Sequence, residues 1–245
     1  MLHIKAFTFN PVQENTYVVY NDAGACCIID PGCYFSGEQA ALKDFVAQND
    51  LKPQYLLNTH CHLDHIFGNR FVQKEWGLTL HIHPDEKQLL DLGPKQGETW
   101  GLPFDNYDGE IKFINEGDVI ELGDEKLQIL LTPGHSPGHL CFYSPAHKFL
   151  IGGDVLFNGS IGRTDLPGGS FETLEQSIKT KLYTLPGDVE RAVGLRDGLG
   201  DLHPVAHLDV LDADLHPLPI GRPGDPLRGV GRVDAHGDLA RLGAR

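Results

Sequence analysis

Predominantly apolar runs rich in β-branched and aromatic residues occupy Leu2–Phe9, Asn15–Tyr20 and Ala25–Ile29. That composition predicts strands, and Asn10-Pro11 and Asp22-Ala23-Gly24 between them predict turns. From Ser36 the pattern changes. Ala41, Leu42, Phe45 and Val46 share one helical face, and Ser36 with Gln39 three residues later predicts a capping box at its start. Tyr55-Leu56-Leu57 predicts a buried strand, and a second helix is predicted over Ile66–Glu75. Further strands are expected at Thr79–Ile82, Ile111–Ile114, Leu127–Thr132, Leu140–Tyr143 and Phe149–Gly152. Helical spacing returns at Phe171, Leu174, Ile178 and Leu182, behind Ser170 as the expected cap. Strands and helices in this order suit two packed sheets with helices on both outer faces.

Composition changes the picture at one place. From Gly187 to Arg245 the chain contains no Lys, Ser, Thr, Asn, Gln, Phe, Tyr, Trp, Cys or Met. A stretch lacking ten residue types is not ordinary globular composition, so 188–245 reads as an anomalous low-complexity tail, either frameshifted or disordered. Little packed structure is expected there. The net charge of −14 disfavours binding to a phosphate backbone, so no nucleic-acid partner is expected. No apolar run approaches a membrane span, and Met1 to Ala6 opens no basic-then-apolar leader. Together with five cysteines that form no CxxC pair, this predicts a cytoplasmic protein with reduced thiols and no membrane partner. The oligomeric state is left open.

Candidate chemistry concentrates at three expected strand ends. Asn58-Thr59-His60-Cys61-His62-Leu63-Asp64-His65 places four metal-ligand side chains within six residues. Leu127–Thr132 runs into Pro133-Gly134-His135-Ser136-Pro137-Gly138-His139, a Pro- and Gly-bracketed turn that pins His135. Lys148–Ile151 ends in Gly152-Gly153-Asp154, where glycines permit close backbone approach beside a carboxylate. Three strand ends that present nitrogen and oxygen donors predict a metal site assembled from distant sequence. Asp30, at the end of its strand, is a candidate to orient a ligating imidazole or a plain turn residue. His139 is expected at the lip of the site or behind a ligand, Cys61 as a space-filler turned away from it, and His81 and His83 as structural histidines.

These motifs resemble the metallo-beta-lactamase superfamily. Gly159-Ser160-Ile161-Gly162-Arg163-Thr164-Asp165 and Leu166-Pro167-Gly168-Gly169 are similar to the small glyoxalase II-like (hydroxyacylglutathione hydrolase-like) members. The resemblance covers residues 1–187 and implies an α/β fold, the four-layer αββα sandwich. It implies one zinc held by His60, His62 and His135, and a second held by Asp64 and His65, with Asp154 bridging both; iron or manganese are the alternative metals. It further implies hydrolysis of a small-molecule thioester such as S-lactoylglutathione by a metal-bridging hydroxide, with Asp64 catalytic and Arg163 receiving a substrate carboxylate. The family's last ligand, a His in a Gly-His-Gly turn after the segment matching Leu185-Pro186-Gly187-Asp188, has no counterpart here. His203, His207, His216 and His236 of the tail offer nitrogens, and their spacing selects none. Two other readings stand beside the hydrolase: a persulfide dioxygenase-like enzyme with one iron, and an inactive metal-binding product that lacks its final His.

Overall fold

The computed structural model describes residues 1–157, 160–192 and 202–204. Its first sheet runs β1 (Leu2–Phe9), β2 (Glu14–Asn21), β3 (Ala25–Ile29), β4 (Lys52–Leu57), β5 (Leu80–Ile82) and β6 (Ile111–Phe113), in that spatial order. β1 to β3 pair antiparallel and β3 to β6 parallel. In the second sheet β7 (Val119–Leu122), β8 (Glu125–Leu131), β9 (Leu140–Ser144) and β10 (Phe149–Ile151) form an antiparallel meander. A small hairpin, β11 (Leu156–Phe157) and β12 (Ser160–Ile161), follows. The second sheet then gains β13 (Glu190–Ala192), parallel to β10, and β14 (Leu202–Pro204), antiparallel to β13.

Alternation along the strands sorts their side chains into three cores. In β3, Cys26 and Ile28 enter an outer core, while Cys27 and Ile29 enter the core between the sheets. In β9, Leu140 and Phe142 face that inter-sheet core, and Cys141 and Tyr143 face a third core on the far side. The first core is closed by Leu42 and Val46 of α1 (Ser36–Gln48), Ile66 of α2 (Leu63–Ile66), Val72 of α3 (Asn69–Trp76) and Leu89 and Leu90 of α4 (Lys87–Trp100). The third is closed by Leu174 of α5 (Phe171–Ser177) and by Ile178 and Leu182 of the π-helical turn that follows. The result is a four-layer αββα sandwich, as period-two strands with both faces covered require.

Several local expectations are corrected. The first helix is not capped by a Ser36–Gln39 box: Ser36 is already helical, and Glu38 Oε2 accepts the backbone N–H groups of Tyr34 (2.8 Å) and Phe35 (3.0 Å). The expected helix over Ile66–Glu75 is two helices broken at Phe67-Gly68. Gly68 packs so close that a Cβ would lie 2.4 Å from Cys33 Sγ and 2.6 Å from Pro31 O. Pro84 starts a helical segment, the 3-10 turn Pro84–Glu86 running on into α4 through Gly93, Pro94 and Gly97, whereas β7 was not anticipated. Ser170 caps α5 as expected, accepting from Thr173 N at 3.2 Å, but Phe171 is exposed. The unusual tail falls outside the described residues beyond Ala192, except for the backbone of 202–204. Its described start packs, with Val189 buried in the third core and Glu190 N bonded to Lys148 O. Among the described residues, no helix is long and apolar enough to cross a membrane.

Candidate metal centre

All three ligand-bearing segments lie beyond strand ends at one edge of the sandwich. Asn58 to His62 follows β4, Thr132 to His139 links β8 to β9, and Gly152 to Asp154 follows β10. The folding of these loops buries His60, His62, His65 and His135 almost completely. Donor atoms of His60, His62 and His135 converge within 4.8 Å of one another. His62 Nδ1 lies 2.9 Å from His135 Nε2, and His135 Nε2 lies 3.2 Å from His60 Nε2.

Neighbouring groups set the tautomers of two of these rings. Thr59 has one hydroxyl hydrogen and gives it to Asp30 Oδ2 at 2.6 Å, so it can only accept from His60 Nδ1 at 3.0 Å. His60 therefore presents a bare Nε2. His135 Nδ1 donates to the carbonyl of Arg163 at 2.7 Å, leaving its Nε2 bare as well. Two lone pairs then face each other at 3.2 Å with His62 Nδ1 at the third corner, and a proton on His62 satisfies at most one of them. A cation answers all three. Zinc–nitrogen bonds of about 2.0–2.1 Å in a tetrahedron put neighbouring nitrogens about 3.3 Å apart, close to the spacing seen. Burial, aided by the surrounding imidazoles, holds His60 and His62 well below the ordinary histidine range, and burial lowers His135 against the pull of Asp154. Neutral rings are the form that binds metal.

A second group adjoins the first. His65 Nε2 lies 3.8 Å from Asp64 Oδ2 and 3.5 Å from Asp154 Oδ1, while Asp154 Oδ2 lies 3.7 Å from His135 Nε2. Asp154 thus offers one oxygen to each group. Burial lowers the pKa of His65, but Asp64, Asp154 and Asp30 outweigh it and hold the ring well above its usual range. Burial raises Asp64 despite the imidazolium beside it. Carboxylates that draw a proton onto a buried ring mark a place where a cation is stabilised, and the donor set of imidazole and carboxylate oxygen suits zinc or iron. On this side a small cleft opens between Val12–Asn15, Asp64, His65, Asp154 and Phe157.

The orienting residues come from all layers of the loops. Asp30, in the left-handed region at φ 50°, takes Thr59 N at 2.7 Å and Asn58 Nδ2 at 3.2 Å, and sits 3.1 Å from His65 Nδ1. That last contact is within ion-pair range but off the line of a hydrogen bond. His139 is fully buried rather than at a lip: its Nε2 accepts from Asp154 N at 3.2 Å and its ring stacks on His60. Gly153, at φ 49°, lets the Asp154 loop pass these rings, since a Cβ there would meet Thr59 Oγ1 at 2.5 Å and His139 Nε2 at 2.7 Å. The Arg163 guanidinium is held in a two-pronged pair with Asp165, both contacts at 2.7 Å. His81 and His83 bond to nearby backbone, the one to Thr79 O and the other to Asp85 N.

Sequence reasoning missed Thr59, Glu14 and Glu86. Thr59 stands inside the histidine motif and was readable there. Glu14 is fully buried beside His65, and burial pushes its carboxyl well above the ordinary range. Glu86 carried no local signal, because its partners lie far away in the chain. All five cysteines are buried free thiols, and burial raises Cys26 and Cys141 to about 12.

The metallo-beta-lactamase superfamily description matches residues 9–190. A hydroxyacylglutathione hydrolase of Haemophilus influenzae, GloC, is 36% identical over 190 residues, covering 77% of this chain and 88% of its own. The BLEG-1 B3 metallo-beta-lactamase superposes with a TM-score of 0.73 at 32% identity, over 83% of this chain and 94% of its own. TTHA1623, solved in a di-iron-bound form, gives 0.71 at 32%, over 82% and 94%. With its histidine and aspartate loops gathered at the edge of an αββα sandwich, this chain belongs to the metallo-beta-lactamase superfamily.

Proposed function

We propose that the chain is a metal-dependent hydrolase of a small-molecule thioester, of the hydroxyacylglutathione hydrolase kind, working in the cytoplasm. The convergence of bare His60 and His135 nitrogens on His62 carries the reading, because it needs a cation. His60, His62 and His135 would hold one zinc, Asp64 and His65 a second, and Asp154 would serve both; iron is the alternative that the di-iron relative supports. When bound, such metals supply Lewis acidity and water of lowered pKa. The chain's own residues do the rest. Asp64, which lines the cleft, would orient the attacking water beside the buried ring of His65. A thioester suits the site, since a thiolate leaves readily and the similarity to GloC points to the same substrate class. Arg163 would receive a substrate carboxylate only by exchanging Asp165 for it. The compositional boundary after 187 is proposed as the end of the catalytic unit's ordinary sequence, with β13 extending its sheet.

The test combines metal analysis with hydrolysis of S-lactoylglutathione. Two metals per chain and thioester cleavage that Asp64→Asn lowers by about a hundredfold or more are expected, in line with loss of a group acting on the attacking water. One iron with oxygen consumption and no hydrolysis would replace this reading with the dioxygenase. No bound metal would mark an inactive product.

A further inference from the structure

We propose that Glu86 is a positioning residue that holds the two histidine-bearing loops at ligand spacing. The inference rests on the metal-centre reading above. Glu86 ends the 3-10 turn Pro84–Glu86 between β5 and α4, and its side chain is fully buried. Its Oε2 accepts the backbone N–H of Cys61 at 2.7 Å. Its Oε1 accepts both the hydroxyl of Ser136 and the backbone N–H of Gly138, each at 2.7 Å. Cys61 lies between His60 and His62, and Ser136 follows His135. One carboxylate therefore ties together the chain neighbours of all three nitrogens of the first group, reaching across 25 and 50 residues of sequence.

The chemistry calls for a carboxylate. It accepts on both oxygens at once, whereas an amide of the same shape accepts on one side and presents N–H on the other. Glutamine would thus set a donor against a donor, at Cys61 N or at the Ser136–Gly138 side, and one loop would be released. The three charge-assisted bonds come from groups that have no other described acceptor at these loops. Glu86 touches none of the proposed ligand nitrogens, so it acts through the loops alone.

The experiment uses the full chain, loaded with zinc and, in parallel, with cobalt. Zinc affinity is measured by competition with a chromophoric chelator for the wild type, Glu86→Gln, Glu86→Asp and Val72→Ala. Val72 lies in the outer core on α3, a helix that carries none of the proposed ligands, and supplies a packing defect there. We expect Glu86→Gln to weaken zinc binding by about tenfold to a hundredfold, the range found when groups that orient metal ligands are lost. Its cobalt absorption spectrum should shift at saturating metal. Glu86→Asp, too short to span both loops, should lie between. Val72→Ala should lower the thermal midpoint while leaving zinc affinity within about twofold and the cobalt spectrum unchanged. If Glu86→Gln retains both affinity and spectrum, the role of Glu86 is overturned while the metal centre stands. Should Glu86→Gln fail to fold, Glu86→Asp with wild-type affinity and spectrum overturns it equally. A wild-type chain that takes up no zinc or cobalt overturns the centre and this role together.

Discussion

Thr59 donates its only hydroxyl proton to Asp30 and receives the Nδ1 proton of His60, so one side chain decides that His60 turns a bare Nε2 toward His135. Thr59→Val keeps the shape and removes both bonds. It should weaken metal binding about tenfold to a hundredfold and destabilise the fold by about 1–3 kcal/mol, because Asp30 loses a partner in a buried place. Chelator competition and urea unfolding check the two effects separately, and unchanged metal affinity would show that the tautomer needs no such help. The six residues that meet at this edge all stand in motifs readable from the chain, because histidine and aspartate cluster within a few residues of turns. The residues that orient them were harder to read. Asp30 was visible as an acid closing a strand, whereas Glu86 looks like any acid near a helix start, and its partners come from other loops.

Strand β13 carries the next scale. Its Glu190 N bonds to Lys148 O, its backbone pairs with Phe149–Ile151, and Val189 just before it is buried under α5. A chain ending at Gly187 should therefore be less stable than one ending at Ala192, by at least the about 1.5–3 kcal/mol of burying Val189. It should also aggregate more readily through the open edge of β10. Urea unfolding and light scattering of the two chains test this, and equal stability would make β13 an ornament of the sheet. The other strands were legible as short runs rich in β-branched and aromatic residues, whereas the all-apolar Ala25–Ile29 does not show that Cys26 and Cys27 enter different cores. Element breaks were less legible. Gly68 ends one helix and begins another because Pro31 and Cys33 press on it, a tertiary cause that no local pattern shows.

At the scale of the molecule, the two proposed metal positions differ in how protons compete for them. Burial keeps His60, His62 and His135 below the ordinary histidine value of about 6.5, so falling pH protonates them only under that value. The metal-free His65 behaves oppositely: its carboxylate neighbours raise it, so it takes a proton already above that value. For the metal-free chain, that shift contributes stability fully present below about 6.5 and lost as pH rises through the folded value. A titration from about pH 8 to about pH 5 should therefore release metal in two steps, the Asp64–His65 position first. Elemental analysis after desalting at each pH reads the steps, and a single step would contradict the asymmetry. The family and its layered architecture were readable from the spacing of motifs and strands. The tail was readable only as a change of composition, and beyond Ala192 it falls outside the described residues apart from the backbone of 202–204.

The sorting of cysteines among the cores has a practical consequence. Cys26, Cys33 and Cys61 lie in the outer core of the first sheet, Cys27 between the sheets and Cys141 under α5. Each layer thus carries its own native probe, silent while packed and reactive once that layer opens. Mass spectrometry of the five thiols under slow alkylation would then time the opening of each layer in the unlabelled, unmutated chain.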